Sequence, residues 1–95
     1  MAFFTVILEY DGGTYIRQVE GSNAEAAILV WAENLDVEPI KGLGPSSKAF
    51  LLRNLAFDIE HGCPPVAVSD LINVWVAGLI LRKKLAQIML VQTVP

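Results

Sequence analysis

The chain has 95 residues, a hydrophobic content of 54% and a formal net charge of −3. This length predicts one domain, residues 1–95, and the apolar content exceeds the roughly 45–50% of ordinary globular domains, so the excess must enrich the core or be buried against another molecule. The acidic balance argues against nucleic acid as a partner, because affinity for it depends on neutralising phosphates.

A β-hairpin is predicted over residues 3–20. The pair Asp11-Gly12 supplies the positive φ angles that a tight hairpin turn requires, and residues 14–20 are rich in strand-forming side chains. The segment before the turn places alternate apolar side chains on one face: Phe4, Val6, Leu8 and Tyr10.

A first helix is predicted over residues 23–35. Ser22 and Glu25 have the spacing of a capping box, in which the serine oxygen accepts a backbone hydrogen bond and the glutamate reaches back. Pro39 ends this region, because proline disfavours helical geometry in the residue before it. Apolar residues recur at helical spacing: Ala24, Ala27, Ile28, Trp31 and Leu35.

A second helix is predicted over residues 46–58, with Ser46 or Ser47 as its cap. A strand stays open as an alternative, because residues 49–59 are apolar enough that periodicity alone does not separate the two. Two prolines, Pro64 and Pro65, place residues 60–65 in a loop.

Two further strands, residues 71–81 and 85–94, are predicted on either side of a basic turn, Arg82-Lys83-Lys84. Both faces of these strands are apolar, a pattern typical of strands covered on both sides. The predicted fold is therefore α+β in the order β-β-α-α-β-β, a four-stranded and mainly antiparallel sheet with two helices packed on one face. The other face would need a partner sheet.

The same apolar run does not predict a membrane span. A spanning helix needs about 20 apolar residues, but residues 66–81 contain Asp70 and Asn73 and end at the basic turn. The N-terminus lacks the basic region of a signal peptide, and the single cysteine, Cys63, cannot form an internal disulfide. We therefore expect a cytoplasmic protein.

The segment Tyr10-Asp11-Gly12-Gly13-Thr14-Tyr15-Ile16, followed by a strand and an acidic capped helix, resembles the opening of HicB-like domains. The resemblance covers about residues 3–35. It implies a hairpin–helix topology and a partner-binding role of the antitoxin kind, and it carries no functional residues over. Its usual proline- and glycine-containing segment before the helix is missing here. The chain as a whole also resembles small bacterial proteins.

Few residues suggest chemistry. His61 and Cys63 are the only candidates for a nucleophile–base pair, and one histidine with one cysteine falls short of the three or four ligands of a metal site. The carboxylates Glu9, Asp11 and Glu20 lie on the first hairpin without obvious convergence. No motif for a cofactor is present.

Charge is unevenly distributed along the chain. Residues 1–38 contain seven acidic side chains and one basic one, whereas residues 39–95 contain three acidic and six basic ones. The simplest interpretation of the basic turn, residues 82–84, is that its charges keep an apolar, aggregation-prone hairpin in solution. Charge complementarity between two copies is the second interpretation.

The leading functional hypothesis is a non-enzymatic protein–protein interaction module that homodimerises through its C-terminal strands. The alternatives are a HicB-like partner-binding domain, which implies a small protein partner, and a small enzyme that uses His61 and Cys63. The candidate interface residues lie on the two C-terminal strands: Trp75, Leu79, Leu81, Met89 and Val91.

Overall fold

The computed structural model of the protein describes residues 2–93 and confirms the α+β class. Its elements are β1 (Ala2–Tyr10), β2 (Gly13–Gly21), α1 (Ala24–Glu33), α2 (Pro45–Glu60), β3 (Val66–Ala67), β4 (Val74–Leu81) and β5 (Lys84–Thr93). Residues 46–58 are thus helical. The end of the last predicted strand, at Val94, lies outside the described residues.

The sheet has five strands in the order β2-β1-β5-β4-β3, and every neighbouring pair is antiparallel. The prediction of four strands was wrong because it missed β3. In this two-residue strand, Val66 pairs with Val76 and Ala67 pairs with Trp75. A strand this short has no periodicity to detect, because tertiary pairing alone defines it.

The core lies between the two helices and one face of the sheet, which we call the inner face. The side chains that β1, β4 and β5 direct to it are almost fully buried: Phe4, Val6, Leu8, Tyr10, Leu79, Leu81, Ala86, Ile88 and Leu90. Trp31 and Ile28 from α1 and Leu51 and Leu55 from α2 fill the space above them. The alternation of apolar residues in β1 therefore decides which face is covered.

Gly21 allows α1 to lie close to β2. A Cβ atom at this position would stand 2.8 Å from the backbone nitrogen of Ala27, which is closer than packed atoms approach. The helix ends differ from prediction: Asn23, not Ser22, caps α1, since its Oδ1 accepts a 2.8 Å hydrogen bond from the Ala26 amide. The helix also ends at Glu33, two residues early.

The start of α2 has no side-chain cap. Gly44 is the N-cap residue, Pro45 takes the first helical position, and neither Ser46 nor Ser47 caps the helix as predicted. Strand β4 begins at Val74 and not at Leu71, because Asp70 and Asn73 have φ angles of 66° and 64°, which extended backbone does not adopt. Over residues 2–93, no helix combines the length and apolar content that crossing a membrane requires.

Candidate functional site

The sheet face opposite the helices, here called the outer face, carries apolar side chains from every strand of the sheet. Strand pairing aligns one apolar residue from each of the five strands in a row across the sheet: Ile16, Ile7, Met89, Val76 and Val66. Phe3, Val74, Val91, Ile80 and Leu85 point to the same side by the same register. The row makes the outer face continuous from one edge of the sheet to the other.

Large apolar side chains on the outer face are open to solvent. Ile16 is 65% exposed, Val66 64%, and Ile80 and Leu85 58% each. Single exposed apolar residues are ordinary on protein surfaces, but a contiguous patch indicates an interaction site. The exposed residues lie toward the two edges and one end, and the half-buried Ile7, Met89 and Val76 lie between them.

The five candidate interface residues divide between the two faces. Leu79 and Leu81 lie in the core, and Trp75 is half-buried on the inner face with its ring centroid 5.7 Å from that of Phe4. Met89 and Val91 lie on the outer face.

The register explains this division. Two residues, Arg82 and Lys83, form the turn, and Leu81 pairs with Lys84, so odd-numbered residues face inward in β4 and outward in β5. A turn predicted as two residues long would have led to this register, because the turn length sets which residues pair.

The basic turn has an unusual backbone. Arg82 and Lys83 have φ angles of 49° and 68°, the positive values of a tight hairpin turn that normally favours Asn-Gly or Asp-Gly. Lys84 is the first residue of β5, and its Nζ lies 2.9 Å from Oδ2 of Asp11 in the other hairpin turn. Both hairpin turns therefore meet at one end of the sheet.

Charge on the outer face is confined to one side. Glu9 and Glu20 point outward from β1 and β2. In the described part of β4 and β5, the outward positions carry no charged side chain, and the basic turn, residues 82–84, lies at their end. The outer face therefore has an acidic side, on β1 and β2, and an uncharged side, on β4 and β5, with the basic turn at its end.

His61 and Cys63 are not brought together in one cavity. The His61 ring stacks on Phe57 at a centroid distance of 3.9 Å, and its Nδ1 lies 2.8 Å from the Phe57 carbonyl. Because a carbonyl only accepts, that nitrogen carries the proton. Cys63 instead lines a cleft together with Asp58, and His61 is not among the residues of that cleft.

The first-hairpin carboxylates also do not converge. Glu9 Oε1 accepts a 3.3 Å hydrogen bond from Thr14, Asp11 pairs with Lys84, and Glu20 lies opposite Phe3 at the far end of the sheet. Among residues 2–93, no group of three or more histidine, cysteine, aspartate or glutamate side chains is placed to hold a metal ion.

Comparisons with protein-family models, with curated proteins and with solved structures find no match for this chain. The resemblance of residues 3–35 to HicB-like domains stays a prediction.

Proposed function

We propose that the protein is a non-catalytic interaction module that homodimerises by packing its outer face against the outer face of a second copy. The observation that carries this proposal is the row of apolar residues across all five strands, from Ile16 to Val66. It refines the hypothesis drawn from the sequence, because the surface extends from β5 to both sheet edges and excludes Leu79 and Leu81.

The size of the outer face suits a dimer. Four strands of 8 to 10 residues, about 4.8 Å apart and about 30 Å long, together with the two-residue β3, present a planar area of roughly 500–600 Å². Projecting side chains raise the accessible area toward the roughly 800 Å² per partner that stable interfaces bury. Face-to-face packing of two sheets, with strands within about 30° of each other, is the standard arrangement of a β-sandwich.

Charge supports a second copy as the occupant. The central strand of the sheet is β5, so a two-fold axis along β5 sets β1 and β2 of one copy over β4 and β3 of the other. This arrangement places the side that bears Glu9 and Glu20 over the uncharged side of the partner, with Glu9 at the end where the partner's basic turn lies. Like charges are kept apart, which favours the pairing.

Analytical ultracentrifugation at micromolar concentration tests the proposal with Met89→Glu. Met89 lies in the middle of the apolar row, next to the proposed axis, so the variant puts two carboxylates face to face in a desolvated interface. We expect the wild type to sediment as a dimer. The dimer dissociation constant of the variant should be at least about tenfold higher.

The matched control is Val30→Glu. Val30 is 37% exposed on α1, on the helical side of the molecule, so this variant introduces the same charge away from the outer face and should remain dimeric. Ile16→Glu changes a side chain that is 65% exposed and should weaken the dimer without touching the core. A wild type that is monomeric at every concentration, or equal effects of Met89→Glu and Val30→Glu, would contradict the proposal.

A further inference from the structure

The cleft that Asp58 and Cys63 line is the starting point of a second inference, separate from the dimer. It lies between α2 and the edge of β4 and has a volume of about 560 Å³, within the roughly 300–1,000 Å³ that small-molecule sites occupy. Apolar residues form most of its walls, among them Leu55 and Ile59 of α2 and Ala77 of β4. The cleft therefore has the size and the lining of a site for a small ligand.

A proline opposite Gly78 explains why the cleft exists. Val66 of β3 pairs with Val76 of β4 in an antiparallel ladder, so the same register would place Pro64 opposite Gly78, two residues further on. Proline has no amide hydrogen with which to continue the ladder. Strand β3 therefore begins only at Val66, and no strand covers the space beside Gly78.

The backbone of Gly78 faces this space. The Val74 carbonyl accepts a hydrogen bond from the Val68 amide, on the β3 side of the strand. Because the direction of backbone groups alternates along a strand, Gly78 points its N–H and C=O groups to that same side. Among residues 2–93, no backbone partner engages them. Glycine has no side chain, so Gly78 lines the cleft through its backbone, and its carbonyl is a free acceptor there.

Asp58 is the only charged residue among the described residues that line the cleft. It is half-buried in the last turn of α2, and no salt bridge or side-chain hydrogen bond among residues 2–93 engages its carboxylate. The last turn of α2 contains no basic side chain, so the negative end of the helix dipole is not compensated there. Because burying a charge is costly unless it is paired, this end of the cleft favours a cation.

The lining favours an organic ammonium group over a metal ion. A metal ion is usually held by three or four protein ligands, and among residues 2–93 no group of three or more such side chains is placed to hold one. An ammonium group carries its own N–H donors, which the Asp58 carboxylate and the Gly78 carbonyl can accept. The apolar walls suit an apolar body attached to that group.

We propose that this cleft binds a small organic amine with an apolar body. The ammonium group donates to the Asp58 carboxylate and to the Gly78 carbonyl. The apolar body packs against Leu55, Ile59 and Ala77.

An NMR titration with phenethylamine tests this site, because the molecule joins one ammonium group to one aromatic ring. We expect the amide signals of Gly62, Cys63 and Gly78 to shift, with a dissociation constant of about 1 mM. Phenethyl alcohol, which has the same shape without the charge, should bind at least about fivefold more weakly. n-Butylamine, which is the lysine side chain alone, keeps the charge with less apolar area and should also bind at least about fivefold more weakly.

Asp58→Asn should abolish the preference for the amine over the alcohol, because it removes the charge and keeps the size of the side chain. Glu60→Gln is the matched control. It removes one carboxylate from the same turn of α2 at an exposed residue that does not line the cleft, so the affinity for phenethylamine should change by about twofold or less.

The absence of any shift at these amides up to about 10 mM phenethylamine would overturn the site. Equal binding of the amine and the alcohol, or equal losses in the Asp58 and Glu60 variants, would refute the role of the carboxylate and with it the proposal. If n-butylamine binds as tightly as phenethylamine, the cleft fits a lysine of a partner protein and the small-ligand proposal fails. Because the signals are read in the cleft, a monomeric wild type would not affect this test.

Discussion

Tyr10 shows how a single residue connects the two hairpins. Its ring is buried on the inner face, and its hydroxyl donates a 2.8 Å hydrogen bond to the carbonyl of Leu81, 71 residues along the chain. That carbonyl is the last of β4 before the basic turn. The alternating pattern of β1 predicted that Tyr10 faces the core, but the partner of its hydroxyl depends on strand order, which residue pattern does not contain.

Removing this hydroxyl should destabilise the protein. Tyr10→Phe keeps the ring and removes one buried hydrogen bond to the Leu81 carbonyl, while Leu81 keeps its pairing with Lys84 in the sheet, so we expect the free energy of unfolding to fall by about 0.5–1.5 kcal/mol. Urea denaturation at one fixed protein concentration measures the change. Tyr15→Phe is the control, because Tyr15 is half-buried and no hydrogen bond among residues 2–93 engages its hydroxyl. Equal losses in the two variants would refute the role of the Tyr10–Leu81 bond.

At the scale of elements, the two hairpin turns differ in how well their residues suit them. Asp11-Gly12 has φ angles of 49° and 81°, and Arg82-Lys83 has 49° and 68°. The first pair is a preferred sequence for such a turn, whereas the second puts two long side chains where L-residues are strained. The basic pair places two charges at the end of an apolar hairpin, as charged residues that limit aggregation do.

Relieving that strain should stabilise the fold. The double variant Arg82→Asn/Lys83→Gly replaces the turn with the sequence that its φ angles favour. We expect the free energy of unfolding to rise by about 1–2 kcal/mol, measured by urea denaturation. Gly12→Ala, which forces a Cβ into a φ of 81°, should shift stability in the opposite direction. If the double variant is less stable than the wild type, the turn is not strained.

The elements predicted well are those with long periodic patterns. Strand β1, the first turn and α1 follow from alternation, Asp11-Gly12 and helical spacing. Strand β3 and the start of β4 do not, because pairing across the sheet and the positive φ angles of Asp70 and Asn73 define them. The predicted interface residues are divided between the inner and outer faces, because the turn was predicted as three residues long and only two residues form it.

At the scale of the whole molecule, the apolar residues of the sequence lie in two places. One part fills the core between the helices and the inner face, and the other forms the outer face. The exposed apolar residues of the outer face, which include Ile16, Val66, Ile80 and Leu85, would be buried by the proposed dimer.

The proposed two-fold axis along β5 leads to a sharp test, because it sets Met89 of one copy against Met89 of the other. Met89→Glu and Met89→Lys should each weaken self-association by like-charge repulsion across the axis. Mixed in equal amounts, the two variants place opposite charges together, so we expect a heterodimer at least about tenfold tighter than either homodimer. Analytical ultracentrifugation with one variant labelled detects it. If each variant alone associates as the wild type does, Met89 is remote from the interface; if the mixture stays monomeric, Met89 does not face its own copy and the axis lies elsewhere.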